Sequence, residues 1–157
     1  MIELSLAEVA QAIDGTLLKG DETVLITGSV ETDSRLVKSG SLFFARPGEV
    51  TDGHLFIGAA LESGAAAAIV DHEVEADIPQ VLVADVTAAL GKLAKYVLAR
   101  IREKSDLKVI GITGSNGKTT TKNMLRAILS QVGSTIAPIE SYNNEVGAPI
   151  SILKADF

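Results

Sequence analysis

Lys118, Thr119 and Thr120 directly follow a loop containing Gly114, Ser115, Asn116 and Gly117. This set of residue types suits a polyphosphate. Glycines let the backbone approach a charged chain closely and reach positive φ. Successive N–H groups then form an anion nest, and a helix N-terminus adds its dipole. Lys118 offers a point charge for β- and γ-phosphates. Thr119 offers a hydroxyl oxygen to Mg²⁺, a cation that prefers oxygen ligands and keeps several waters. The strict P-loop spacing fails, because the position five before Gly117 is Ile112. The order strand, nest, lysine, hydroxyl, helix nevertheless makes nucleoside triphosphate use the leading expectation.

Three further loops carry groups able to recognise phosphate or sugar. They are Asp33-Ser34-Arg35, Arg46-Pro47-Gly48 and Asp52-Gly53-His54. An arginine can grip a phosphate bidentately. Each loop also has a plain reading as turn chemistry, since Asp-Gly is a turn signal and His54 can serve simply to start a helix. His72 reads as a surface loop residue. Two histidines far apart in sequence, with no cysteine, give no zinc site.

These loops need elements to hold them. Ser5-Leu6-Ala7-Glu8 has the form of a capping box, with Leu4 and Val9 spaced as a hydrophobic staple. A short helix follows and stops at Gly15. Thr16 to Thr27 reads as two short strands around Gly20-Asp21, and Ser41 to Ala45 as another strand. Leu55 to Ser63 reads as a helix ended by Gly64. Ala65 to Val70 and Val81 to Val83 read as strands. Asp85 caps a long amphipathic helix with Val86, Ala89, Leu90, Leu93, Val97 and Ile101 on its apolar face. Lys92, Lys95, Arg100 and Arg102 read as its solvated face. Beyond the polar stretch Arg102–Asp106, the spacing predicts a strand over 108–113, a helix over 118–131 and a strand over 135–137. Alternating strands and helices indicate an α/β class with parallel pairing.

The composition sets bounds. The 157 residues are 46% hydrophobic but only 4% aromatic, so the core must be built from Ala, Val, Leu and Ile. No apolar run is long enough to span a bilayer. The first residues lack a basic n-region, so no signal peptide is expected. The net charge of −6 argues against a general nucleic-acid surface. The absence of cysteine excludes disulfides and favours a cytoplasmic location.

Taken together the motifs resemble one family. GITGSNGKTTT is similar to the ATP loop of the Mur ligases, which share its variant spacing. The run ETDSRLVKSGSLFFARPGEVTDGHLFIGAALESGAAAAIV looks like their N-terminal nucleotide-sugar domain. SYNNEVGAPISIL resembles the segment of the branch that joins D-alanyl-D-alanine to a UDP-N-acetylmuramoyl-tripeptide. The alternatives are the branch that adds a diamino acid and a nucleotide-binding module without ligase chemistry.

The resemblance implies a small N-terminal α/β UDP-sugar-binding domain followed by the start of a P-loop parallel-sheet ATPase domain. The expected division is 1–84 for the UDP-muramyl-peptide-binding domain, 85–106 for a connecting helix and linker, and 107–157 for the beginning of the ATP-binding central domain. It implies ATP and Mg²⁺ as cofactors, with the acceptor carboxylate activated as an acyl phosphate. Lys118 and Thr119 would be catalytic, with Thr119 the metal ligand. Gly114, Ser115, Asn116, Gly117 and Thr120 would hold the phosphates. Ser34, Arg35, Arg46, Pro47, Gly48, Asp52, Gly53 and His54 would bind the UDP part of the substrate. Asn143 and Asn144 would face the sugar-peptide or the metal-bound phosphate. The family's later metal ligands, its modified lysine and its third domain are expected beyond Phe157, so the segment alone is expected to be inactive.

Overall fold

The computed structural model describes residues 1–48, 51–138 and 145–156. In chain order it runs β1 (Leu4–Ser5), α1 (Leu6–Ala12), β2 (Thr16–Lys19), β3 (Leu25–Ile26), β4 (Val30–Glu31), β5 (Leu42–Phe44), α2 (Ile57–Glu62), β6 (Ala67–Val70), β7 (Gln80–Leu82), α3 (Val86–Lys104), α4 (Lys118–Leu129) and α5 (Gly147–Ile152). Short 3₁₀ turns at Ser34–Leu36 and Gly53–Phe56 complete it.

A five-stranded sheet has the order β2-β7-β6-β5-β4. The pairs β4–β5, β5–β6 and β6–β7 are parallel, and β2 adds to β7 antiparallel. β5 and β6 are buried at every position because helices cover both faces, as parallel sheets require. Side chains alternate between the faces. Leu42, Phe44, Ala67, Ile69 and Val81 enter the larger core with α1 and α3, while Phe43, Ala68 and Val70 enter the smaller core with Ile57 and Ala60 of α2. Each fully buried Leu, Ile or Phe contributes roughly 1.5–3 kcal/mol of burial free energy.

The two strands expected around Gly20-Asp21 both form, but they do not pair with each other. β2 pairs with β7, and β3 pairs with β1, placing Leu4 opposite Ile26. That register buries both residues almost completely in the larger core.

The capping box forms as read. The Ser5 N–H donates to Glu8 Oε2 at 2.9 Å, and the Glu8 N–H donates to Ser5 Oγ at 3.2 Å. Leu4 and Val9 lie in the same buried cluster. Arg100 departs from the solvated face assigned to it. It donates to Glu8 Oε1 at 3.1 Å and to the Tyr96 hydroxyl at 2.7 Å, so it ties α3 to α1. Lys92 likewise reaches Asp14 at 2.9 Å. The helix of segment 85–106 is therefore a packing layer of the first unit as well as a connection.

The Ser5 N–H and then Arg100 hold the Glu8 carboxyl below its usual value of 4.5. A depressed acid stabilises the fold above its ordinary pKa, and the contribution is lost as pH falls through the folded value. Glu8→Gln should therefore be less stable than the parent at about pH 7, and the gap should narrow at a pH low enough to protonate the lowered carboxyl. Urea unfolding at both pH values reads this out. A gap of equal size at both would assign the effect to something other than the charge.

Two expected strands are absent. Residues 108–113 and 135–137 are irregular, with Val109 59% and Ile110 55% exposed. The apolar run is suited to a strand, but a strand needs a ladder partner, and no described segment forms a ladder with it. α4 forms in the expected place, yet buries none of its residues, leaving Met124 and Ile128 exposed. α5 is an element that the sequence reading did not place. Pro149 is tolerated there because it falls in the first turn, where its missing N–H costs no helical bond. Leu153 and Ala155, just after α5, are buried in the larger core, and α5 packs against α3. No helix among the described residues is long and apolar enough to cross a membrane.

Candidate functional site

All four parallel strands release their following loops at one edge of the sheet. β4 leads to Asp33, Ser34 and Arg35, and β5 to Arg46, Pro47 and Gly48 and then Asp52, Gly53 and His54. β6 leads to Asp71 and His72, and β7 to Asp85 and the first turn of α3. In open α/β sheets this carboxyl edge is where ligands bind. Loops dispersed along the sequence are thus collected by the strand order.

Arg35 is folded onto its own loop. Its Nε donates to Asp33 Oδ1 at 2.9 Å and its Nη2 to Asp33 Oδ2 at 2.6 Å. The Asp33 carboxyl lies below its ordinary value because of this pairing, and Asp33 also accepts the Arg35 N–H that starts the 3₁₀ turn. The Arg35 side chain is 86% exposed, so an incoming anion can compete for it at little cost in packing.

The second pair of loops forms a closed bracket. Pro47 bridges to Asp52, the Gly48 N–H donates to the Thr51 carbonyl at 3.0 Å, and the Gly53 N–H donates to the Arg46 carbonyl at 2.8 Å. Asp52 accepts from the His54 N–H at 2.9 Å and lies 2.6 Å from His54 Nδ1. The His54 N–H and then its ring lower the Asp52 pKa. His54 is 5% exposed, and its Nε2 accepts the Asp71 N–H at 3.3 Å. The same Nε2 lies 3.3 Å from Asp71 Oδ1, so each ring nitrogen has a carboxylate oxygen beside it. His54 therefore links the loop after β5 to the loop after β6.

His72 is a surface loop residue as read, with its side chain 58% exposed, but it has close partners. Its ring stacks on His54 with centroids 4.0 Å apart and planes inclined by 27°, and its Nδ1 lies 2.5 Å from Asp71 Oδ1. The two histidines are distant in sequence but adjacent in space because β5 and β6 are neighbours. Asp52, His54 and His72 thus place three metal-capable groups together. Stacked rings do not aim both lone pairs at one ion, however, since a ligating nitrogen points along its own ring plane. Asp71 and His72 escape sequence reasoning; the available signal was their position just past a buried strand.

The glycine-rich loop before α4 has the backbone its glycines predicted. Gly117 adopts φ +77° and Gly114 φ +149°, both outside the comfortable range of other residues. A Cβ at Gly117 would meet nothing, so its glycine answers to conformation and not to space. α4 begins at Lys118, placing Thr119 and Thr120 in its first turn, and the Thr121 N–H closes on the Gly117 carbonyl at 2.9 Å. The Lys118 ammonium folds back onto the carbonyls of Gly114 and Ser115. Asn143 and Asn144 lie outside the described residues.

The chain matches the model of the Mur ligase family, catalytic domain, over residues 27–97, and that of the Mur ligase middle domain over 112–156. The chain belongs to the Mur ligase family. It is 38% identical to the UDP-N-acetylmuramoyl-tripeptide–D-alanyl-D-alanine ligase of Mycobacterium leprae, over 99% of this chain and 35% of that protein. Among solved structures, MurF from Acinetobacter baumannii is 36% identical, with a TM-score of 0.86 over 98% of this chain and 33% of that one. The MurF ligase of Thermotoga maritima in complex with ADP is 37% identical, with a TM-score of 0.69 over 82% of this chain and 29% of that one. The chain spans about a third of the length of the curated relatives it matches.

Proposed function

We infer that this chain supplies the sugar-nucleotide site and the triphosphate loop of an ATP-dependent carboxylate–amine ligase. The reaction joins D-alanyl-D-alanine to a UDP-N-acetylmuramoyl-tripeptide, a cytoplasmic step in making peptidoglycan precursors. The observation that carries this reading is the end-to-end likeness, 36–38% over nearly the whole chain, to relatives bearing that one name. The convergence of the Arg35, Arg46 and His54 loops at one sheet edge supports a separate site for the nucleotide sugar.

A carboxylate does not react with an amine unaided, because oxide is a poor leaving group. ATP supplies the phosphoryl group that turns it into an acyl phosphate, and Mg²⁺ supplies charge neutralisation. The residues present fit both. The nest of Gly114, Ser115, Asn116 and Gly117 offers backbone N–H groups, and Lys118 needs only to leave the loop carbonyls to meet a phosphate oxygen. Thr119 presents a hard hydroxyl oxygen in the first helical turn and would be a Mg²⁺ ligand, with Thr120 beside the phosphates. Catalysis by such a loop is positioning and charge stabilisation.

Calorimetry tests the substrate half on this chain. Binding of UDP-N-acetylmuramoyl-tripeptide is expected at micromolar to millimolar levels, with UDP alone competing. No heat at millimolar ligand would remove the sugar-nucleotide assignment.

A further inference from the structure

Arg46 differs from Arg35 in how it is held, and the difference points to a residue outside the motifs. The Arg46 backbone is fixed by the Gly53 N–H, and a Cβ on Gly53 would lie 2.6 Å from the Arg46 nitrogen and 2.7 Å from its oxygen. The Arg46 side chain is fixed from another element. Its Nε donates to Thr87 Oγ1 at 2.9 Å, a contact across 41 residues between half-buried groups. Thr87 stands in the first turn of α3, where its own N–H is taken by Asp85 Oδ1 at 2.7 Å. Asp85 spends that oxygen on the Thr87 and Ala88 N–H groups and makes no ion pair with Arg46.

Nε is the guanidinium nitrogen nearest the stem, so a bond there sets the plane of the whole group. It leaves the two terminal amino groups, with four N–H donors in a fork, for an anion. Arg35 has instead given its fork to Asp33. We propose that Thr87 is a positioning residue for the nucleotide sugar: its hydroxyl orients Arg46 so that the outer edge of the guanidinium receives the diphosphate. The inference rests on the sugar-nucleotide reading above and adds the residue that orients its cation.

The test is calorimetric titration of the chain with UDP and with UDP-N-acetylmuramoyl-tripeptide. Thr87→Val keeps the shape and removes the acceptor, and should weaken binding of both about ten-fold. Thr87→Ser restores the hydroxyl and should return affinity to within about two-fold. Arg46→Ala should lose at least as much as Thr87→Val, and the double variant should be no weaker than Arg46→Ala, because the threonine acts through the arginine. Circular dichroism checks that each variant is folded. Parent-like binding by Thr87→Val, or a Thr87→Val loss of equal size in the Arg46→Ala background, overturns the proposal and leaves the sugar-nucleotide site standing. An unmutated chain that binds neither ligand overturns that site and this role with it.

Discussion

Lys118→Ala should abolish ligation in a protein of the relatives' full length carrying this segment, by about 10²–10³-fold or more, while leaving the fold unchanged. The ammonium is the one side-chain charge in the loop, and phosphoryl transfer relies on charges placed before the reaction starts. The fold should be spared because, among the described residues, Lys118 hydrogen-bonds only to carbonyls of its own loop, and α4 buries no residue. Lys118→Arg should also be impaired, since a planar fork does not fit where a compact ammonium sits. Phosphate release dependent on both substrates measures the effect, with circular dichroism as the control for folding. Turnover close to the parent's in Lys118→Ala would end the assignment of this loop to the triphosphate.

The largest loss of stability is expected from Phe44→Ala, at about 3–5 kcal/mol. Phe44 is fully buried in the larger core and stands opposite Ile69 in the β5–β6 register. Few aromatic side chains are available to this core, so the cavity would be lined by small aliphatic groups with little freedom to close it. Urea unfolding at neutral pH gives the value directly. Because Arg46 follows β5 by only two residues, substrate affinity should fall in proportion to the unfolded fraction and no further. A change below about 1 kcal/mol would mean that the sheet is not the stabilising centre described here.

The boundaries between what was legible and what was not follow from the range of the forces involved. The Ser5–Glu8 box, the Asp85 cap, the stop at Gly64 and the nest before Lys118 depend on residues a few positions apart, and all were readable. The strands over 108–113 and 135–137 were misread because an apolar run records only that a segment suits a sheet, not that a partner strand is present. His72 is the surface loop residue it was read as, but its stacking on His54 could not be read, for the related reason that proximity in space is set by which strands are neighbours. The same applies to Arg100, whose charge pattern resembles a wet helix face until α1 is laid against it.

The linear order of residues was thus enough to read the glycine-shaped backbone of the loop at Gly114–Gly117, the helix that begins at Lys118 and the α/β class, since all follow from local backbone preferences and periodicity. Folding alone revealed that four separate loops share one sheet edge, that His54 joins two of them, and that Thr87 holds Arg46. Those facts depend on strand order and helix packing, where partners are chosen by burial of apolar faces across tens of residues, and no short-range pattern records that choice.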